Sequence, residues 1–232
     1  MKGAKKEEVI HLEEVEKVYQ MGDMEVRALR GSNLSIKKGE FIAVMGPSGS
    51  GKSTLMNMMG ALDVPTTGLV EVADRNLSEM GPDELALLRN EKVGFIFQEF
   101  NLLKNVNTIQ NVMLPLTIQE VPESQRRSRA TDLLEKVGLG DRLRHMPSEL
   151  SGGQRQRVSI ARALANDPDI VLADEPTGNL DTDTGAKIMD LLTEFNEEGK
   201  TIIMVTHDPN DAEYADRKIK IKDGVTHPGE EE

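Results

Sequence analysis

Four short apolar runs punctuate the chain: FIAVM at 41–45, VGFIF at 93–97, DIVLA at 169–173 and TIIMV at 201–205. Runs this short, without polar alternation, predict strands buried on both faces of a parallel sheet. Each run ends at a chemically distinctive residue: Gly46, Gln98, the pair Asp174–Glu175 and the pair Thr206–His207. Ligands of open α/β sheets bind beyond the carboxyl ends of the strands, so these four ends predict one shared site.

Elsewhere the period changes. VIHLEEVEKVY at 9–19, VRALRGSNLSI at 26–36 and GLVEVAD at 68–74 mix apolar and polar positions around turn residues, which predicts antiparallel strands. Helical spacing predicts helices over 52–61, 82–90, 123–137, 152–165 and 184–198, the last closed by Gly199. Between Gln98 and Ser151 the strand signal fades, so a helical subdomain is expected at about 99–160. The antiparallel part is expected at about 8–45 and 66–80, the core in the remainder, all within one domain over 1–232. LMNMMG at 55–60 reads as core filling, RRSR at 126–129 as a solvated helix face, and the tail HPGEEE as a frayed end.

Composition removes several classes of function. The 232 residues carry a net charge of −12, and aromatic residues are 3% with no tryptophan. Such a surface is poorly matched to a phosphate backbone or to base stacking, so nucleic acid is not an expected partner. The absence of cysteine excludes disulfides, thiolate metal sites and cysteine nucleophiles. No apolar run approaches the roughly 18–20 residues that span a bilayer. The opening MKGAKKEEVIHLEEVE is charged, so no secretory signal is expected.

The chemistry begins at GPSGSGKST, 46–54, which fits G-x-x-x-x-G-K-[ST] with a strand before it and a helix after it. Gly46, Pro47, Ser48, Gly49, Ser50, Gly51, Lys52, Ser53 and Thr54 are therefore the expected cradle for the phosphates of ATP. The glycines let backbone N–H groups face phosphate oxygens, and the helix N-terminus adds partial positive charge. Lys52 is assigned to the β- and γ-phosphates, and the Ser53 hydroxyl to Mg2+. Asp174 stands where a phosphate-loop ATPase places its magnesium carboxylate. Adjacent strand-end side chains diverge, so Glu175 is free to face a water. Gln98 can ligate magnesium or orient water through its amide, and His207 can contact a γ-phosphate or the attacking water. His11, His145 and His227 lack such a context and read as surface residues. The whole predicts an α/β fold: a phosphate-loop NTPase core with a mostly parallel sheet, an N-terminal antiparallel β-subdomain and an inserted helical subdomain.

A second glycine-rich helix start, LSGGQRQR at 150–157, precedes the strand and carboxylates of IVLADE. With these motifs, the chain resembles the nucleotide-binding subunits of ATP-binding cassette (ABC) transporters over about residues 8 to 226. The resemblance implies that Tyr19 stacks on adenine and that Gln98 is the hinge-loop glutamine. It implies that Ser151, Gly152, Gly153 and Gln154 form the signature, that Asp174 binds the metal and that Glu175 is the catalytic base. It assigns Asp181, in GNLD, to the loop that crosses between subunits, and His207 to the switch. FIFQEFNLL, LADEPTGNLD and VTHDP are similar to the ATPases of lipoprotein-releasing and macrolide-export systems and their cell-division relative. Lys104 and Arg155 depart from the usual proline and glutamine, at surfaces that touch partners.

The family further implies a head-to-tail homodimer on two ATP molecules, each held between one copy's phosphate loop and the other's signature. Separate membrane permease subunits would dock near Gln98 to Asn111, through Phe100, Leu102 and Leu103, placing the chain at the cytoplasmic face of the cell membrane. Export or extraction of a lipoprotein, peptide or drug-like cargo is the implied task. Two alternatives remain open: an ATPase that drives a force-transmitting membrane complex without transport, and a soluble ABC ATPase. Relatives of the soluble kind carry two cassettes or long insertions, which this chain lacks. Arg155 and Arg157 have three open roles: steering nucleotide, contacting the partner, or solvating the helix.

Overall fold

The computed structural model describes residues 7–22 and 24–228. Its core is a six-stranded sheet ordered β10-β9-β3-β8-β7-β6. The four apolar runs are its adjacent central strands: β3 (Phe41–Met45), β8 (Thr201–Val205), β7 (Ile170–Asp174) and β6 (Val93–Ile96). All pair in parallel, and β9 (Arg217–Lys222) joins β3 in parallel as well. The hairpin partner β10 (Val225–Pro228) closes that edge antiparallel. The tail therefore corrects one expectation: His227 and Pro228 belong to β10, because their backbones pair with Lys220 and Ile219. Residues 229–232 lie outside the described part.

Period-two geometry sorts the central strands between two cores. Phe41, Ala43, Val171, Ala173, Ile202 and Met204 face a cluster built with the helices of the insertion and the following helix. Ile42, Val44, Ile170, Leu172, Ile203 and Val205 face the opposite cluster, built with the antiparallel sheet. Both faces are dry, which is why the strands read as unbroken apolar runs. Each fully buried Leu, Ile or Met contributes about 1.5–3 kcal/mol relative to exposure.

The antiparallel sheet has the order β2-β1-β4-β5, from β1 (Glu8–Met21), β2 (Met24–Lys37), β4 (Thr67–Val72) and β5 (Arg75–Asn76). It ends at Lys37, not near 45, because the next strand has entered the parallel sheet. A bulge in β1 at Glu14 (φ 47°) frees a backbone N–H, which donates to the Asn33 side chain at 3.0 Å. Behind the sheet, α1 (Lys52–Met59) and α2 (Pro82–Lys92) complete this side. Leu55, Met56, Met58 and Met59 are buried there, as core filling requires.

The insertion contains α3 (Thr108–Ile118), α4 (Glu123–Lys136) and the start of α5 (Gly152–Ala163). A reciprocal cap between Asn107 and Gln110 starts α3. The boundary expected at 160 falls inside α5. That helix runs on because its second half, with Val158, Ile160 and Ala161 fully buried, belongs to the core. Two helices remain: α6 (Thr182–Glu197), followed by Gly199 at φ 99°, and the short α7 (Pro209–Ala212).

Candidate nucleotide site

β3 delivers the chain into the phosphate loop, and α1 carries it away. Gly51 sits at φ 105°, and a Cβ there would lie 2.6 Å from the Ala28 carbonyl of β2. Only glycine lets the loop turn this tightly against the hairpin. As the residue before α1, Gly51 also offers no side-chain cap, so the first N–H groups of the helix have no local competitor for an anion. Lys52 folds over the loop, its Nζ donating to the carbonyls of Gly46 at 2.7 Å and Pro47 at 2.9 Å.

The loop forms one wall of a cleft of about 630 Å³ that also includes Asp174, Glu175 and His207. Asp174 ends β7 opposite Val205 of β8. Burial, then the neighbouring Glu175 charge, pushes its carboxyl above the usual range, against the pull of Lys52. Glu175 turns off the strand in the left-handed region (φ 45°), with its N–H donating to the Val205 carbonyl at 2.9 Å. From that turn its carboxylate reaches the next strand end. There Oε1 lies 3.1 Å from Nδ1 of His207, whose ring is largely exposed. A hard-oxygen pair, Ser53 and Asp174, suits a magnesium ion that arrives with phosphates and keeps much of its water. Among the described residues no cluster of three or more His, Cys, Asp or Glu forms a cage of its own.

Gln98 is placed differently. It follows β6, but it is not among the residues lining the cleft. Its carbonyl accepts from the Asn179 amide at 2.8 Å, and its Nε2 abuts Gly178, 2.7 Å from where a Cβ would stand. Tyr19 lies on β1, where its hydroxyl donates to Asp63 at 3.0 Å and Lys17 Nζ sits 5.0 Å from the ring centre. Burial, then the Asp63 hydrogen bond, raises the phenol above its ordinary value, so the ring stays neutral.

Ser151, Gly152, Gly153 and Gln154 are not part of this cleft. They open α5 with a reciprocal cap: Gln154 N–H donates to Ser151 Oγ at 3.3 Å, and Ser151 N–H to Gln154 Oε1 at 2.9 Å. Gly153 packs against α6 so closely that a Cβ would lie 2.3 Å from Thr184 Cγ2. Asp181 caps α6, accepting from Thr184 N–H at 3.0 Å. Hydrogen bonds from the Thr184 hydroxyl and amide hold its carboxyl below the usual range.

Several neighbours shape the site without being among its expected ligand-binding residues. Val26, Arg27 and Ala28 line the cleft because β2 runs past the phosphate loop. Arg155 reaches back to the Leu150 carbonyl at 2.9 Å and lies 5.3 Å from the Phe100 ring, so it braces the segment after Gln98. Arg162 does the same from deeper in the protein, donating to the carbonyls of Asn101 and Phe100 at 2.5 and 2.9 Å. Burial lowers its guanidinium from its usual value. These contacts hold Phe100 and Asn101 in left-handed conformations (φ 63° and 47°).

The apolar residues expected to dock a partner after Gln98 differ in exposure. Leu102 packs on the core and Phe100 lies under Arg155, leaving Leu103 exposed. The neighbouring apolar groove, of about 470 Å³, runs instead between α2, β6 and α3, lined by Leu62, Phe97, Leu114 and Ile118 among others. Ile118 is 72% exposed there, a large apolar side chain with no cover.

A phosphate loop on a parallel sheet, with strand-end carboxylates beside it, defines a phosphate-loop ATPase. The sequence profile described as ABC transporter matches residues 29–178. An uncharacterized ABC transporter ATP-binding protein of Thermotoga maritima is 50% identical over 216 residues, covering 93% of this chain and 92% of that protein. The macrolide export ATP-binding/permease protein MacB of Hyphomonas neptunium is 51% identical over 93% of this chain, which spans 34% of that relative's length. The ATP-binding cassette MJ0796, in a dimeric post-hydrolysis state bound to ADP and Pi, superposes with a TM-score of 0.86. It is 45% identical and matches over 96% of this chain and 100% of its own. The chain belongs to the ABC transporter family, as one of its ATP-binding subunits, and is an ATPase.

Proposed function

We propose that two copies close head to tail on two ATP molecules, and that this closure powers separate membrane permease subunits. The observation that carries the proposal is the separation of the two glycine-rich helix starts. The cleft gathers the phosphate loop, Asp174, Glu175 and His207, while Ser151 to Gln154 stand outside it on their own helix. A partner's α5 can therefore supply the missing side of the cage, with Ser151 and the glycine N–H groups on the γ-phosphate. Similarity to cassettes solved as dimers supports the same assembly.

Within each composite site, Lys52 leaves the carbonyls of Gly46 and Pro47 for the β- and γ-phosphates. Tyr19 offers its ring to adenine. Glu175, beside His207, accepts a proton from the attacking water, and His207 holds water and phosphate in line. Gln98, tied to the 178–179 turn, reports the state of that turn to the segment after it. Asp181 carries its loop toward the partner. Ser53 and Asp174, with Gln98, would hold magnesium, which supplies charge neutralisation at the phosphates.

The groove between α2, β6 and α3 is the proposed seat of a permease helix, placing the chain at the cytoplasmic face of the membrane. No helix among the described residues is long and apolar enough to cross a bilayer. Export or extraction of a lipoprotein, peptide or drug-like cargo is the proposed task. The MacB relative, named for macrolide export and carrying its permease in the same chain, supports this direction.

Mixing two inactive variants tests the shared site. Lys52→Ala spoils a phosphate loop and Ser151→Arg spoils a signature. A 1:1 mixture should recover roughly a quarter of parental ATPase activity, since half the dimers are mixed and each has one intact site of two. A mixture as inactive as its components would refute composite sites.

A further inference from the structure

Asp211 is a buried carboxylate that the mechanism above does not use. It lies on α7, only 9% exposed, four residues beyond His207. Its Oδ2 accepts a hydrogen bond from the hydroxyl of Thr177, two residues beyond Glu175. Asp211 sits on the helix capped by Asp208, directly after His207. Thr206 is itself 2% exposed, and its Oγ1 accepts from the N–H of Asp208 at 3.0 Å. One carboxylate thus ties the turn after Glu175 to the helix after His207, while Glu175 and His207 meet in front at 3.1 Å.

Its surroundings argue that this is a tether and not a stray polar group. Burial pushes the Asp211 carboxyl upward and the nearby Asp208 charge adds to that, whereas the Thr177 and Thr206 hydroxyls and His207 oppose it. A carboxylate kept in such a place is stabilised by the Thr177 hydroxyl, and losing that donor leaves an unmet acceptor. The turn it holds has a second buried anchor. Gln156 of α5, fully buried, donates from Nε2 to the Pro176 carbonyl at 2.7 Å. Residues 176 and 177 are therefore fixed on one side by the signature helix and on the other by α7.

We propose that Asp211 is a positioning residue for hydrolysis, clamping the turn that follows Glu175 to the helix that follows His207 through Thr177. Without the clamp the front pair keeps its chemistry but loses its register, because the Thr177–Asp211 bond is what ties α7 to the turn after Glu175. The inference rests on Glu175 and His207 acting on the attacking water. Misplacement of such groups by about 1 Å costs up to about 10²-fold in rate and leaves ground-state nucleotide contacts intact.

The test is steady-state ATP hydrolysis by the full chain. Thr177→Val and Asp211→Ala should each lower kcat about 10-fold with KM for ATP within about 2-fold, the signature of lost positioning. The double variant should be no slower than the worse single one, because both remove the same link. Asp211→Asn, which keeps an acceptor oxygen for the Thr177 hydroxyl, should regain most of kcat. Should Asp211→Ala fail to fold, Thr177→Val decides alone, since it deletes one hydroxyl at constant shape. A kcat within 2-fold of the parent for Thr177→Val, or a rise in KM at unchanged kcat, overturns the clamp. Glu175→Gln separates the two levels: full turnover in that variant sinks the catalytic pair itself, whereas its loss beside an unaffected Thr177→Val sinks the clamp alone.

Discussion

Two helices of this protein start at glycine-rich turns, and they start differently. The first, α1, follows Gly51 and has no side-chain cap. The second, α5, follows Ser151 and is capped on both sides by a reciprocal pair with Gln154. An uncapped start leaves N–H groups free for a ligand the chain binds by itself. A capped start is already satisfied. Yet the Ser151 hydroxyl uses only a lone pair to accept from Gln154, so its own proton stays available as a donor. The cap thus aims Ser151 without consuming it. The comparison separates a helix end built to receive phosphate from one built to be presented.

Breaking the receiving end should have the largest effect. Lys52→Ala removes the only side-chain cation of the loop, and ATP hydrolysis should fall by about 10²–10³-fold. Parental turnover in that variant would dissolve the distinction between the two ends. Gly51→Ala comes next. The left-handed backbone and the Ala28 carbonyl at 2.6 Å predict a loss of about 1–3 kcal/mol of stability, with weakened nucleotide binding. A denaturation midpoint equal to the parent's would show that the loop relaxes freely.

At the presenting end the effects should be smaller and of another kind. Ser151→Ala should cost about 1 kcal/mol of stability through the lost cap. It should also lower turnover while leaving ATP affinity of the single chain unchanged, because the serine lies outside that chain's cleft. Weaker binding to the monomer, measured by calorimetry, would contradict this. Gln154→Ala, which removes only the return half of the cap, should change stability by about 0.5 kcal/mol or less. A larger drop would mean that Gln154 touches more than the Ser151 backbone.

The legible parts of the sequence were those with one dominant cause. Four strands buried on both faces produce apolar runs that nothing else resembles, and the phosphate loop announces itself through three glycines and a lysine. β9 was invisible by the same logic. RKIKIK alternates because one face meets solvent, so its apolar content never forms a run. Hydropathy alone does not mark the subdomain edges near 45 and 160, since β3 and α5 each continue into the core. Exposure cannot be read from hydropathy: Phe100 and Leu102 are half-buried, under Arg155 and against the core, while Leu103 is exposed. Arg162 fixes the neighbouring backbone from 61 and 62 positions away. Asp211 had no motif at all, and only the fold brings it behind Glu175.

The central sheet is a wall one strand thick, with even-numbered residues of β3 facing one core and odd-numbered residues the other. The nucleotide half, with its hairpin and phosphate loop, leans on one side. The half bearing the signature helix leans on the other. Substitutions behind one face need no repacking behind the other. A one-residue slip in any of these strands, by contrast, would exchange the two sets of side chains and empty both cores at once.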